Sequence, residues 1–134
     1  MSESSKSRRL VCWIASVAVF IAISIVGLLA YVVWTTSTAE MNFHAMRQAV
    51  IATQIFVQDN DGQWPKSWED LKRNAPEDFD LDWAAQHVAF DFNADPDALS
   101  KQRWDTFTGI RPSRPCYSAY DNELTHLIET LSNR

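Results

Sequence analysis

The sequence predicts a helix-rich α+β protein: one long N-terminal helix, then a small domain with a short β-sheet and a C-terminal helix. Three observations support this class. Residues 10–34 form an uncharged apolar run without proline, and residues 35–58 continue it with apolar positions at spacings of three and four. Both patterns are typical of helix. Residues 87–92 alternate polar and apolar side chains, which is typical of a strand.

Residues 10–34 are long enough to cross a membrane as one helix, since a hydrocarbon core about 30 Å thick needs roughly 20 apolar residues. Trp13 lies near one end of the run, and Tyr31 and Trp34 lie near the other, where interfacial aromatic residues are enriched. The run exceeds the roughly 7–15 apolar residues of a cleaved signal peptide, so we expect an uncleaved signal anchor. Cleavage after Ala39 is the alternative.

Charge differs between the two sides of this run. Residues 1–9 carry Lys6, Arg8 and Arg9 against Glu3, which gives +2, so the formal net charge of −5 leaves −7 for the rest of the chain. We expect this tail to be disordered and cytoplasmic, and the acidic domain to be extracytoplasmic, or periplasmic in a bacterium. A nucleic-acid partner is not expected, because phosphate binding needs a basic surface.

Residues 35–58 are predicted to form an amphipathic helix continuous with the membrane helix, because no Gly or Pro separates the two segments. Its apolar stripe is a candidate surface for a protein partner, or for a second copy of the chain in a homo-oligomer. The residues assigned to this contact are Phe43, Met46, Val50 and Val57.

Residues 59–134 form the predicted small domain. Asp59–Gly62 are expected to end the long helix, since Asn and Gly tolerate the left-handed backbone conformation that closes helices. Ser67 is the predicted N-cap of a short helix, with acidic residues in its first turn. Pro76 is expected to stop that helix.

Residues 87–92 give the best predicted strand, with an inward face formed by Val88, Phe90 and Phe92. Residues 77–82 show the same alternation of acidic and apolar side chains. Partner strands are expected at residues 106–108 and near Tyr117.

The remaining segments are predicted from their turn residues and periodicity. Asp95–Asp97 marks a turn or a helix start, and residues 98–104 are expected to give two helical turns. Residues 111–115 contain two prolines and are expected to be irregular. An amphipathic helix over residues 119–131 ends the domain, with inward positions at Leu124, Leu127, Ile128 and Leu131.

The long helix, the turn from Asp61 to Pro65 (DGQWP) and the capped segment from Ser67 to Leu71 resemble the pseudopilins of type II secretion. In that family an Asn/Asp-Gly-x-aromatic-Pro turn follows the long helix. The resemblance covers residues 1–75 and implies an assembly component in a secretion or pilus-type system. The prepilin peptidase site of pseudopilins and type IV pilins, a Gly before the apolar run and a Glu inside it, has no counterpart here.

No residue pattern predicts catalysis, a cofactor or a metal site, so we expect a non-enzymatic protein. The three histidines lie on separate predicted elements, and a loop starting at Asp59 has Trp64 where an EF-hand requires Gly. Cys12 and Cys116 fall in the membrane helix and the distal domain, so they do not pair within one chain. Cys116 is interpreted as a small buried residue, with an intermolecular disulfide as the alternative.

Two features leave ligand binding open. Arg111 and Arg114 form a basic pair in an acidic domain, where they either pair with nearby carboxylates or bind an acidic partner. Four tryptophans are either core residues or a stacking platform for sugars, so an anchored module for glycan or cell-wall material is the alternative function. These tryptophans are Trp64, Trp68, Trp83 and Trp104.

Overall fold

The structure is a computed structural model that describes residues 3–114, Cys116 and residues 120–133. It confirms the helix-rich α+β class. The chain divides into two compact units, Met1–Ser37 and Thr38–Arg134. The boundary between them falls inside the first helix, and the sheet and the other helices all belong to the second unit.

Helix α1 comprises Glu3–Asp59, so the predicted continuation of residues 10–34 into residues 35–58 is confirmed. The helix begins before Leu10, and the expectation of a disordered tail over residues 1–9 is wrong from Glu3 onward. Extending an existing helix costs far less free energy than nucleating a new one. No Gly or Pro interrupts the tail, so the helix of the apolar run extends back into it.

The turn that ends α1 has the predicted left-handed backbone. Asp61 and Gly62 have φ angles of 51° and 78°. The N–H of Gly62 donates to the carbonyl of Val57 at 2.9 Å, which satisfies one of the free carbonyls of the last helical turn. The chain then reverses, and Trp64 enters the core with its indole N–H donating to the carbonyl of Asp91 at 2.8 Å.

Helix α2 comprises Trp68–Asn74 and begins where the sequence predicts. The Ser67 hydroxyl accepts a hydrogen bond from the N–H of Asp70 at 3.3 Å, which is the expected N-cap contact. The helix ends before Pro76, also as predicted. Leu71 is fully buried and fixes α2 against the core.

Helix α3 comprises Leu81–Ala85 and was not predicted. Its N-cap is Asp80, whose carboxylate accepts from the N–H of Trp83 at 2.8 Å. The alternation over residues 77–82 resembles a strand pattern, but the carboxylate of Asp80 satisfies the backbone of a helix start instead.

Strands β1 (Val88–Phe90) and β2 (Ile110–Pro112) form a two-stranded antiparallel sheet. The strand predicted over residues 87–92 is therefore confirmed for Val88–Phe90 alone. The predicted partner at residues 106–108 is wrong, because a 3₁₀ turn occupies Trp104–Thr106 and the strand that pairs with β1 begins only at Ile110. The other expected partner, near Tyr117, lies outside the described residues.

The expectation that residues 111–115 are irregular is wrong for Arg111 and Pro112, which belong to β2. Pro112 is tolerated because it lies opposite Val88, between the hydrogen-bonded pairs of the two strands, so its missing N–H removes no hydrogen bond of the sheet. The next residue continues the contact: the N–H of Ser113 donates to the carbonyl of His87 at 2.8 Å.

Two helices complete the second unit. Helix α4 comprises Pro96–Leu99 with Asp95 as its N-cap, which confirms the predicted helix start. The predicted two helical turns over residues 98–104 are wrong, because α4 ends at Leu99. Leu99 is its only buried side chain, and this amount of packing is too small to stabilise a longer helix. Helix α5 comprises Asp121–Ser132, close to its predicted bounds, and buries Leu124, Leu127 and Leu131.

The hydrophobic core of the second unit combines α1, α2, α5 and the sheet. From α1 it takes small and medium side chains on one face of the helix, which are Ala45, Met46, Ala49, Val50, Ala52 and Val57. Trp64, Phe107 and Ile110 add aromatic and aliphatic volume from the loops and β2. The aromatic side of the core is layered, with the rings of Trp64 and Phe90 stacked at 5.4 Å between centroids.

Candidate functional site: the α1 surface and a cavity beside β2

The first candidate site is the surface of α1 within the first unit. Of the helices that the structure describes, α1 alone is long and apolar enough to cross a membrane, and none of its most apolar stretch is buried. Large apolar side chains are exposed at nearly every position from Val11 to Trp34, up to 72% for Phe20. A helix that is apolar on all sides is typical of a protein interior or of a lipid environment.

The two serine hydroxyls of this segment are satisfied within the helix itself. The Ser16 hydroxyl donates to the carbonyl of Cys12 at 2.9 Å, and the Ser24 hydroxyl donates to the carbonyl of Phe20 at 2.9 Å. Hydrocarbon offers no hydrogen-bond partners, so a segment in lipid must satisfy its polar groups internally. These contacts meet that requirement.

The apolar stripe of residues 35–58 has a different environment. Met46, Val50 and Val57 are fully buried in the core of the second unit, so their assignment to a partner surface is corrected. Phe43 is half-buried, with its ring 5.3 Å from that of His44. A periodic stripe identifies a helix face that is covered, but it does not identify what covers it. Here the domain itself covers it.

The four tryptophans of the distal domain do not form one platform. Trp64 is buried, Trp68 and Trp83 are half-buried, and only Trp104 is exposed, at 39%. The ring of Trp68 lies edge-on to that of Phe90, with their centroids 5.4 Å apart. Sugar stacking needs an open ring face, so the tryptophans serve mainly as core residues.

Trp104 lines a cavity of about 390 Å³ between the 3₁₀ turn, β2 and α5. Arg111 and Tyr120 also line it, so one of the two predicted arginines lies at this site. Three buried apolar side chains contribute to the lining, which are Phe107, Ile110 and Leu124. The sequence singles out Trp104 and Arg111 separately, but nothing in it places them together.

The backbone that carries Trp104 is closed by side-chain hydrogen bonds. The Oε1 atom of Gln102 accepts from the N–H of Thr108 at 2.9 Å, and its Nε2 atom donates to the hydroxyl of Thr108 at 3.1 Å. Inside this loop the N–H of Thr106 donates to the carbonyl of Arg103 at 3.1 Å. The turn is therefore held at both ends while the indole remains exposed.

The charges at the cavity are not balanced. Its described lining contains one carboxylate, Asp105, which pairs with the Nε atom of Arg103 at 3.2 Å. Arg111 is exposed and lies opposite Ala89 in the sheet. Neither Arg111 nor Arg114 has an ion pair with any described residue, so the expected pairing with nearby carboxylates is not found there. Arg114 does not line the cavity.

Tyr120 and Cys116 form a protonated pair at the α5 side of the cavity. Burial raises the pKa of the Tyr120 hydroxyl to about 12, and its hydrogen bond with Cys116 acts in the same direction. Burial also raises the pKa of the Cys116 thiol, which the hydrogen bond from Tyr120 partly offsets. Cys116 is half-buried against the core. At neutral pH, both side chains therefore stay uncharged.

In the described part of the chain, no group of three or more His, Cys, Asp or Glu side chains is placed to bind a metal ion. Comparison of the chain with protein-family models, with curated proteins and with solved structures finds no match. Two features of the chain itself bear on its function, the apolar surface of α1 and the cavity beside β2.

Proposed function

We propose that this chain is a single-pass membrane protein without catalytic activity, which holds a small acidic domain at the membrane for interaction with another protein. The observation that carries the proposal is the exposed apolar surface of α1 from Val11 to Trp34. The internal hydrogen bonds of Ser16 and Ser24 support it, because they remove the cost of placing hydroxyl groups in lipid.

The charge distribution supports an N-terminus in the cytoplasm. The basic tail of residues 1–9 has a charge of +2 and immediately precedes the apolar run, while the remainder of the chain carries −7. Basic residues next to a membrane helix are retained on the cytoplasmic side. The second unit then lies outside the cytoplasm, which is the periplasm if the source is bacterial.

A pilin-like assembly is the specific form of interaction that we propose. It is supported by the order of elements after α1: the left-handed turn at Asp61 and Gly62, the buried Trp64, and the short helix capped by Ser67. Chemical cross-linking in native membranes tests this form. A ladder of multiples of the chain is expected. A monomer band alone would contradict the pilin-like form and leave the anchored protein with a different partner.

The anchor and its orientation are tested on isolated membranes by intact mass spectrometry and by protease access. We expect a mass that includes residues 1–9, and a second unit that is digested only from the extracytoplasmic side. A chain that begins after Ala39 would show that the apolar run is a cleaved signal. Digestion from the cytoplasmic side alone would reverse the orientation.

A further inference from the structure

We propose that the cavity between the 3₁₀ turn (Trp104–Thr106), β2 and α5 is a peptide-binding site, which takes one carboxylate side chain together with the apolar side chains beside it. The ligand is a segment of a partner protein. This inference rests on the proposed function, since it names the chemistry that the anchored domain recognises in its partner.

The first reason is the exposure of Trp104. Apart from Met41 on α1, it is the only exposed large apolar side chain in the described part of the second unit. The domain buries its other tryptophans wholly or in part. The Trp104 side chain is still 39% exposed, so a partner side chain that covers the indole removes further apolar surface from water.

The second reason is the set of residue types around the cavity. Trp104, Arg111 and Tyr120 line it together, and Trp, Tyr and Arg are the three residue types most enriched among side chains that dominate protein–protein affinity. The cavity volume of about 390 Å³ is within the range of ligand pockets. It has room for a few side chains of a peptide, and its apolar lining suits aliphatic ones.

The third reason is charge. Arg111 is an exposed guanidinium without an ion pair among the described residues, and the cavity's carboxylate, Asp105, is already paired with Arg103. A ligand carboxylate can accept two parallel hydrogen bonds from Arg111. The neutral hydroxyl of Tyr120 does not repel it. Because the whole domain carries −7, a segment with many acids is repelled, so the site favours a single carboxylate between apolar residues.

The fourth reason is preorganisation. Gln102 and Thr108 hold the two ends of the loop that carries Trp104, through hydrogen bonds of 2.9 and 3.1 Å. A loop that is already ordered loses little conformational entropy when a ligand binds. Gln102→Ala is therefore expected to weaken binding about threefold while preserving the preference for a carboxylate.

Nuclear magnetic resonance of the full chain in detergent micelles tests the site. The probes are two end-blocked pentapeptides, Ac-GLELG-NH2 and Ac-GLQLG-NH2, which differ only in charge. The reporter is the indole N–H resonance of Trp104, assigned by its loss in Trp104→Phe. We expect saturable movement of this resonance with the glutamate peptide, and at least tenfold weaker binding of the glutamine peptide.

Arg111→Gln and Arg114→Gln provide a matched pair, because both remove one positive charge and only Arg111 lines the cavity. Arg111→Gln is expected to weaken the glutamate peptide at least tenfold and to abolish the difference between the two peptides. Arg114→Gln is expected to leave binding within twofold of the wild type. The indole resonances of Trp64 and Trp68 serve as the folding control for each variant.

Three results would overturn the inference: no movement of the Trp104 resonance at millimolar glutamate peptide, equal binding of the two peptides, or equal loss in the two arginine variants. Recovery of each variant in the membrane pellet is measured in parallel. A wild-type chain that stays in the membrane pellet but does not bind the glutamate peptide would overturn this site and leave the membrane proposal standing.

Discussion

The apolar side chains of α1 have opposite environments in the two units of the molecule. From Val11 to Trp34 they are exposed around the whole helix, whereas from Ala45 to Val57 the fully buried ones lie on one face and the other face is mostly polar. The difference follows from the periodicity of the sequence. An unbroken apolar run makes every face of the helix apolar, whereas apolar residues at spacings of three and four leave one face for polar side chains. One helix therefore combines an exposed apolar surface with the packing surface of a folded domain.

The largest contrast is expected from deleting apolar atoms in each part of the helix. Met46→Ala is expected to lower the free energy of unfolding of the domain by about 2–5 kcal/mol, because Met46 is fully buried and its loss leaves a cavity. Leu28→Ala, at a side chain that is 64% exposed, is expected to leave it unchanged. Urea unfolding in micelles, followed by tryptophan fluorescence, measures both. Equal losses would show that the two surfaces are not distinct.

The glycines of the two units give a second, smaller contrast. A Cβ atom at Gly109 would lie 2.9 Å from Trp64 Cζ2 and 3.0 Å from Leu99 Cδ1, so Gly109→Ala is expected to destabilise the domain by about 1–3 kcal/mol. A Cβ atom at Gly27, in the apolar run, would meet nothing within 4 Å, so Gly27→Ala is expected to be neutral or to favour the helix. Thermal unfolding of both variants measures the difference, and a stable Gly109→Ala protein would contradict the packing described here.

Two asparagines at the buried end of α1 and in the turn after it give a third, smaller contrast. Asn42 is 1% exposed and donates to the carbonyl of Thr38, but its Oδ1 atom has no hydrogen-bond partner among the residues that the structure describes. Asn42→Leu is expected to stabilise the domain by about 1 kcal/mol, because it removes an unsatisfied acceptor from the core. Asn60 makes the same type of bond in a half-buried position, so Asn60→Leu is expected to give no gain. A loss of stability in Asn42→Leu, measured by urea unfolding, would contradict this reasoning.

The pH dependence at Tyr120 is the smallest expected effect. Its pKa is about 12 in the folded chain and about 10 when unfolded, so the unfolded state releases the proton first. The contribution of Tyr120 to stability is therefore complete below pH 10 and is lost as the pH rises towards 12. The difference in urea midpoint between the wild type and Tyr120→Phe is expected to shrink over this interval. A difference independent of pH would contradict the raised pKa.

Local chemistry made several helix ends and turns predictable, although helix α3 was not predicted. The cap at Ser67, the left-handed turn at Asp61 and Gly62, and the inward leucines of α5 each depend on residues close in sequence. Strand β2 was not predicted, because proline usually interrupts a strand. Only its register with β1 shows that the missing N–H of Pro112 removes no hydrogen bond of the sheet. Pairings between distant segments are therefore the part of the fold that local patterns did not reveal.

The cavity was unpredictable for the same reason. Trp104, Arg111 and Tyr120 come from a 3₁₀ turn, a strand and the start of a helix, and only their tertiary arrangement forms a shared surface. For Met46, Val50 and Val57, the helical period predicted a covered face correctly. The surface that covers this face belongs to the same chain and not to a partner protein. Periodicity predicts burial, and only the structure identifies the neighbour.

The most direct test of membrane anchoring is retention in the membrane pellet after an alkaline carbonate wash. Phe20→Arg/Ile23→Arg places two charges near the middle of the apolar run, at a cost of roughly 5–7 kcal/mol for insertion. Thr36→Arg/Ser37→Arg adds the same charge outside that run and is the matched control. We expect the wild type and the control to remain in the pellet and the first variant to be released. Release of the wild type, or equal retention of all three, would contradict the account.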